Sequence, residues 1–277
     1  MQINFSRLTR LVKRRRNPLI PNVAGNGAAR RALLTWIAWD RATAPDQQWH
    51  VNRRMTVLAA QALADLGYVV DAVSMADPPP KDMQRYDLVV GRGTPFREAL
   101  LRADALQRTH IHIAEMAHPA QRYAVELDCI AGVRRARGVP LRPERLHAVP
   151  DFVSPGLADG IVCTGNAWTL KTYSDNCTTP VYRAPLPIRP LSRDSESVKP
   201  PREILWLGGN GAILKGLDTV LRALARRPDL TLHVCGSLSA EVRHAFADEL
   251  SRENIVAHGF MDIRSEAFRN ILNQCGY

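Results

Sequence analysis

The sequence predicts an α/β fold with two parallel sheets in succession. Three observations carry this reading. Short apolar runs of strand length alternate with segments of helical period along most of the chain. A polar, proline-bearing stretch, RPLSRDSESVKPPRE (189–203), interrupts that rhythm once. The rhythm then resumes. The 277 residues, 45% hydrophobic and 23% charged, suit one large or two modest globular domains and exclude a disordered, collagenous or disulfide-scaffold chain. No apolar run approaches the ~18 residues of a membrane-spanning helix.

In chain order, ALLTWIAW (32–39) reads as the first buried strand. HVNRRMTVLAAQALADLGY follows, with Met55, Leu58, Ala59, Ala62, Leu63 and Leu66 on one helical face, and Gly67 stops it. YVVDAVSM is the second strand; YDLVVGRG (86–93) and THIHIAEMAH (109–118) are two more, separated by the helical PFREALLRADALQ. RYAVELDCIAGVRRARG is a long helix ending at Gly138, and GIVCTGN (160–166) is another short buried run. After the interruption come EILWLGG as strand, LKGLDTVLRALARR as helix, LTLHVCG as strand, SAEVRHAFADEL as helix, IVAHGFM as strand and SEAFRNILNQC as helix. The expected organisation is a basic leader over 1–31, a Rossmann-like domain over 32–190, a linker over 191–202 and a second Rossmann-like domain over 203–277. With only about three strands, the second domain is expected to be incomplete.

The net charge of +10 invites a nucleic-acid partner, but its distribution argues against one. Residues 1–39 hold eight of the 37 basic residues and no acid, so the rest of the chain is nearly balanced. The cluster LVKRRR within residues 1–31 has two open readings: a solvated leader, or peripheral contact with an anionic membrane surface. Cys129, Cys163, Cys177, Cys235 and Cys275 are widely spaced without a CxxC pair, which predicts reduced thiols, a cytoplasmic location and no zinc site. No GxSxG elbow or HExxH motif occurs, so hydrolase chemistry is a poor reading.

The most informative segment is LWLGGNGAILKGLD (205–218). A strand runs into a loop bearing Gly208, Gly209, Asn210 and Gly211, and a helix is expected to begin near Lys215 and Gly216. Glycines admit close backbone approach, N–H groups at a helix start attract anions, and Lys215 adds a cation. A diphosphate suits such a loop; a tightly packed strand-to-helix turn is the alternative. It is not a Walker A loop, since Lys precedes Gly and no Ser or Thr follows.

This segment resembles the start of the donor domain in retaining glycosyltransferases of the GT-B fold, family 4, where a Lys-Gly pair after a glycine loop binds the donor diphosphate. Lys215 and Gly216 match that pair, while the usual arginine after the first glycine is replaced by Gly209 and Asn210. WHVNRRMTVLAAQALADLGYVVDAVS, AEMAHPAQRYAVELDCIAGVRRARGVPL and TGNAWTLKTYSD are similar to successive segments of the family's first domain. The resemblance implies transfer of a sugar from a nucleotide-diphosphate donor to a glycan or lipid-linked acceptor, with retention and no obligatory metal or other cofactor. It implies that His118 sits near the transferred sugar; a histidine bonding local backbone is the other reading. On the acceptor side stand Asp40, His50, Asn52 and Asn166, with a turn carboxylate as the other reading of Asp40 and an N-cap role open for Asn52. His110 and His112 read as core or surface residues, and Glu126 as a salt-bridge partner. The family's pair of donor-site glutamates has no counterpart: Glu241 and Glu249 have the spacing, but on an amphipathic helix ahead of a strand. The chain is therefore expected to be truncated, with a non-catalytic binding protein of the same fold as the alternative function.

Overall fold

The computed structural model describes residues 19–36, 51–146, 151–187 and 202–275. The LVKRRR cluster, Asp40, His50 and residues 191–201 of the expected linker lie outside the described residues. The chain divides into two compact units, Met1–Pro119 with Asp151–Arg189, and Ala120–Pro150 with Pro190–Tyr277. Residues 120–150, placed in the first domain by the sequence rhythm, thus group with the second sheet.

The first unit holds a six-stranded, all-parallel sheet. Its strands are β1 (Arg30–Trp36), β2 (Tyr68–Ser74), β3 (Leu88–Gly91), β4 (Thr109–Ala114), β5 (Gly160–Cys163) and β6 (Val181–Arg183), in the order β2-β1-β3-β4-β5-β6. Alternation along β1 decides which side each residue serves. Ala32, Leu34 and Trp36 join Met55 and Leu63 of helix α1 (Val51–Asp65), while Leu33 joins Tyr86, Val89 and Phe96 on the other face. Phe96 belongs to α2 (Thr94–Leu100); the rest of the predicted helix there is a 3-10 turn at Ala105–Gln107. Helix α3 (Pro119–Arg137) follows β4 and enters the second unit after its first residue. The short helices α4 (Val153–Leu157) and α5 (Ala167–Ser174), and strand β6, have no counterpart in the periodicity reading.

The predicted face of α1 needs correction. Its buried residues are Met55, Thr56, Ala60 and Leu63, whereas Leu58 and Leu66 are exposed. A threonine can sit inward because its hydroxyl donates to the carbonyl of Asn52, 2.9 Å away within the same helix. His110 and His112, by contrast, are core residues of β4, with their rings 6.1 and 5.6 Å from that of Phe96.

In the second unit, β7 (Glu203–Leu207), β8 (Thr231–Cys235) and β9 (Ile255–Gly259) form a parallel sheet in the order β7-β8-β9. Trp206, Leu232, Val234 and Ile255 point into one core with Leu217 and Leu221 of α6 (Leu217–Leu224), and Ile130, Val133 and Leu141 complete it. On the opposite face Cys235 packs against Phe268 and Ile271 of α9 (Glu266–Gln274). That face also carries a chain of polar contacts across the three strands. His233 meets Glu203 at 2.7 Å through Nε2 and His258 at 2.9 Å through Nδ1. The single helix expected over SAEVRHAFADEL is two, α7 (Ala240–Ala245) and α8 (Ala247–Leu250), joined at Phe246.

All five cysteines are free thiols. Among the described residues, no helix is long and apolar enough to cross a membrane.

Candidate functional site

The glycine loop lies between β7 and α6. Strand β7 is held in register by β8, and the ladder reaches into the loop, since the Gly208 N–H donates to the Cys235 carbonyl at 2.9 Å. Gly211 and Gly216 both have left-handed backbones, with φ of 82° and 76°, which glycine adopts without the usual steric cost. Between them the chain makes a tight turn of its own. Lys215 N–H donates to the Gly211 carbonyl, Gly216 N–H to that of Ile213, and Leu217 N–H to that of Ala212. The Trp206 indole donates to the Lys215 carbonyl at 3.3 Å, tying the turn to the core. Helix α6 starts at Leu217, two residues past Lys215, and the N–H groups of Lys215, Gly216 and Leu217 at its start serve the turn and not an anion.

The N–H groups that do converge are those of Gly211 and Ala212. Both donate to one carboxylate oxygen, Oε2 of Glu144, at 2.6 and 3.2 Å. Glu144 comes from the turn after α3, a segment of the same unit. That turn is itself held by Glu126 of α3, only 1% exposed, whose Oε1 accepts from the N–H groups of Glu144 and Arg145 at 2.9 and 2.7 Å. The salt-bridge role expected of Glu126 is thus replaced by main-chain binding; no ion pair of Glu126 occurs among the described residues. The Arg145 side chain lies over Gly211, where any Cβ would collide with it, whereas the space beside Gly209 is open. Lys215 completes the site as an exposed cation. Partial burial and the neighbouring Arg145 guanidinium lower its pKa, and the Glu144 carboxylate partly offsets them. Asn210 is exposed and Gly209 half-buried at the loop's outer edge.

His118 follows β4 by four residues, past the strand end expected for it, and is 4% exposed. Its N–H donates to Thr172 Oγ1 at 2.9 Å, and its ring lies edge-on to Tyr173, 5.4 Å away, and 6.2 Å from Phe152. Burial pushes its pKa down, favouring the neutral imidazole. Asn166 is the N-cap of α5, and its Oδ1 accepts from the Thr169 N–H at 2.9 Å and from the Thr169 hydroxyl at 3.1 Å. Asn52 is the second residue of α1 rather than a residue preceding it, so it does not occupy the cap position expected of it. Glu241 and Glu249 fall on separate helices, where they bind Arg142 and Arg137 respectively.

The first unit also contains an apolar cavity of about 360 Å³. Trp36, Ile113 and Val162 line it from the sheet, Met55 and Leu58 from α1, and Pro185 from the segment after β6. The sequence offered half of it: the α1 positions Met55, Leu58, Ala59 and Ala62 were legible as an apolar face, but the face borders this cavity. Nothing in the sequence pointed to Glu144, whose partner lies 67 residues away.

No protein-family model matches the chain, and no curated protein matches it by sequence. Among solved structures, it is similar to a mutant of S. aureus TarM in complex with Fondaparinux, alpha-GlcNAc-glycerol and UDP. That match has 8% identity and a TM-score of 0.38, over 63% of this chain and 33% of the other, so this chain spans about a third of that protein. A second is Anabaena HepE in complex with UDP and glucose, at 10% identity and a TM-score of 0.46, covering 89% of this chain and 72% of the other.

Proposed function

We propose that the chain is a glycosyltransferase of GT-B type that moves a sugar from a nucleotide-diphosphate donor to a glycan or lipid-linked acceptor, with retention of configuration. One observation carries the reading. Two main-chain N–H groups, from Gly211 and Ala212, meet on a single anionic oxygen beside the Lys215 cation. That oxygen belongs to Glu144, and it stands in for a phosphate oxygen of the donor. In the reaction, the bond between the sugar and the diphosphate breaks and negative charge develops on the departing diphosphate. Preorganised N–H donors and a nearby cation stabilise that charge most where it grows, and removing one such donor typically costs about a hundredfold in rate. Because Lys215 and the main chain meet the charge, the reading calls for no obligatory metal.

His118 is assigned to the sugar as a neutral imidazole, which can donate at one nitrogen and accept at the other. At 4% exposure it needs its cover moved, and Phe152, half-exposed and 6.2 Å from it, is the ring to move. The expected products are cell-surface polysaccharides, with the chain working in the cytoplasm.

Calorimetric titration with UDP, GDP and their sugars tests the reading. One nucleotide should bind, and Lys215→Ala should weaken it about tenfold or more, the worth of one charge-assisted contact. An affinity that Lys215→Ala leaves unchanged overturns the assignment. So does a sample that melts cooperatively yet binds none of these compounds at millimolar concentration, with or without Glu144. The occupied N–H pair also favours a second reading, a non-catalytic binding protein of the same fold. Release of free nucleotide from the donor in the presence of acceptor separates the two.

A further inference from the structure

The contact between Glu144 and the glycine loop is built from three levels of support. At the base, Glu126 is a carboxylate buried to 1% exposure in α3, and its Oε1 clamps the main-chain N–H groups of both Glu144 and Arg145. Next, Arg142 fixes the chain just before the turn, donating through its N–H and its Nε to the two oxygens of Glu241 at 3.0 and 2.7 Å. At the tip, the Glu144 carboxylate takes the Gly211 and Ala212 N–H groups on one oxygen. Arg145, beside it, covers Gly211 with its aliphatic carbons. A surface glutamate that met the loop by accident would need none of this support.

The arrangement has a consequence for any anion that uses the loop. A carboxylate and a phosphate oxygen compete for the same two donors, and both gain from the Lys215 cation. A diphosphate brings more charge and more acceptor atoms than one carboxylate, so it can win, but only against an occupied site. The Glu144 side chain can swing out without unfolding the turn, because Glu126 holds the main chain and not the side chain.

We propose that Glu144 is an internal competitor for this site: its carboxylate holds the Gly211 and Ala212 N–H groups until an anionic diphosphate displaces it. The proposal rests on the diphosphate reading of the loop and adds its regulation. The latch lowers apparent affinity by the fraction of time the loop is open, so that a loop open about one tenth of the time binds tenfold more weakly than its intrinsic strength. It keeps weaker monoanions out of the site and couples ligand entry to release of the Glu144 side chain, while Glu126 keeps the 142–145 segment in place.

Titration of the full chain with inorganic pyrophosphate, UDP and GDP tests this in the wild type, Glu144→Gln, Glu144→Ala and Lys215→Ala. Glu144→Ala should bind about tenfold tighter than wild type. Glu144→Gln, which keeps an acceptor but no charge, should fall between them, and Lys215→Ala should bind more weakly. Melting curves establish that each variant is folded, and Glu144→Gln carries the test should Glu144→Ala not fold. A second readout needs no ligand: the ¹⁵N-resolved amide signal of Gly211 should shift in Glu144→Gln and should shift again when pyrophosphate is added. Equal affinities in wild type and Glu144 variants, with Lys215→Ala still weaker, overturn the latch and leave the diphosphate site standing. Binding by none of the four proteins overturns the diphosphate reading and the latch with it.

Discussion

Asp71 shows how one residue's surroundings set its chemistry. Its side chain is fully buried in β2, where it accepts from the Asn22 N–H at 2.8 Å, Arg31 Nη2 at 2.9 Å, Arg85 Nη2 at 2.7 Å and the Tyr86 hydroxyl at 2.9 Å. Burial alone would raise its pKa, but the Asn22 N–H, Arg31 and Tyr86 together pull it below the ordinary value of 3.8. A depressed carboxylate contributes stability above its unfolded pKa and loses it as pH falls through the folded one. Asp71→Asn should therefore destabilise the chain at neutral pH by about 2 kcal/mol, the loss of charge-assisted bonds to a buried carboxylate, and urea unfolding would measure it. His112 works in another window. Burial, reinforced by Arg92, pushes its pKa down to about 3 from 6.5, so it is neutral when folded but takes a proton when unfolded. Stability should fall as pH drops from about 6.5 toward 3, by at most about 1.4 kcal/mol per pH unit. His112→Leu should flatten the melting temperature over that range; an unchanged slope would assign the loss to other groups.

At the scale of elements, the glycine loop separates two kinds of constraint. Gly216 needs its left-handed backbone, yet nothing lies within 4 Å of where a Cβ would sit. Gly216→Ala should cost about 1–2 kcal/mol from backbone strain alone. Gly211 carries the same strain and the Arg145 side chain above it, so Gly211→Ala should cost more and also loosen the turn that presents Glu144. Chemical denaturation of the two variants gives the comparison, and equal losses would mean that Arg145 yields without cost. The split between α7 and α8 is a different case. The amphipathic period runs on through Phe246, but the backbone there leaves the helical region at φ −121° and ψ 28°. Phe246 is buried in the second core with the Arg137 guanidinium 4.5 Å over its ring. Helix α1 makes the same point in reverse: of its apolar period Met55 and Leu63 face the core, but Leu58 and Leu66 are exposed. Thr56 and Ala60 face inward and Leu58 borders a cavity.

For the whole molecule, what matters is which core each segment completes. Ile130, Val133 and Leu141 lie in the core of the second sheet with Leu232 and Val234. The first sheet has its own clusters, around Leu34 and Val70 on one face and Phe96 and Val89 on the other. Leu232→Ala removes a fully buried side chain and should cost about 2–5 kcal/mol. Hydrogen exchange should then quicken in β7, β8, β9 and α3 together, and not in β1 to β5. Exchange that quickened equally in both sheets, or left α3 untouched, would show that residues 120–150 do not share the second unit's stability.

Local features can be read from the chain alone. Hydrophobic period marked most strands and helices, and the positions of Gly211 and Gly216 marked a loop that side chains bearing a Cβ would strain. These signals are local, arising from a few neighbouring residues and the geometry of one turn or strand. The tertiary structure alone decided the rest: the four partners of Asp71, the orientation of α1, the grouping of residues 120–150, and Glu144 on the loop. Each is a meeting of residues far apart in the chain, such as the 67 positions between Glu144 and Gly211. No periodicity records such a pair, because it is set by how whole elements pack and not by what stands beside a residue in sequence.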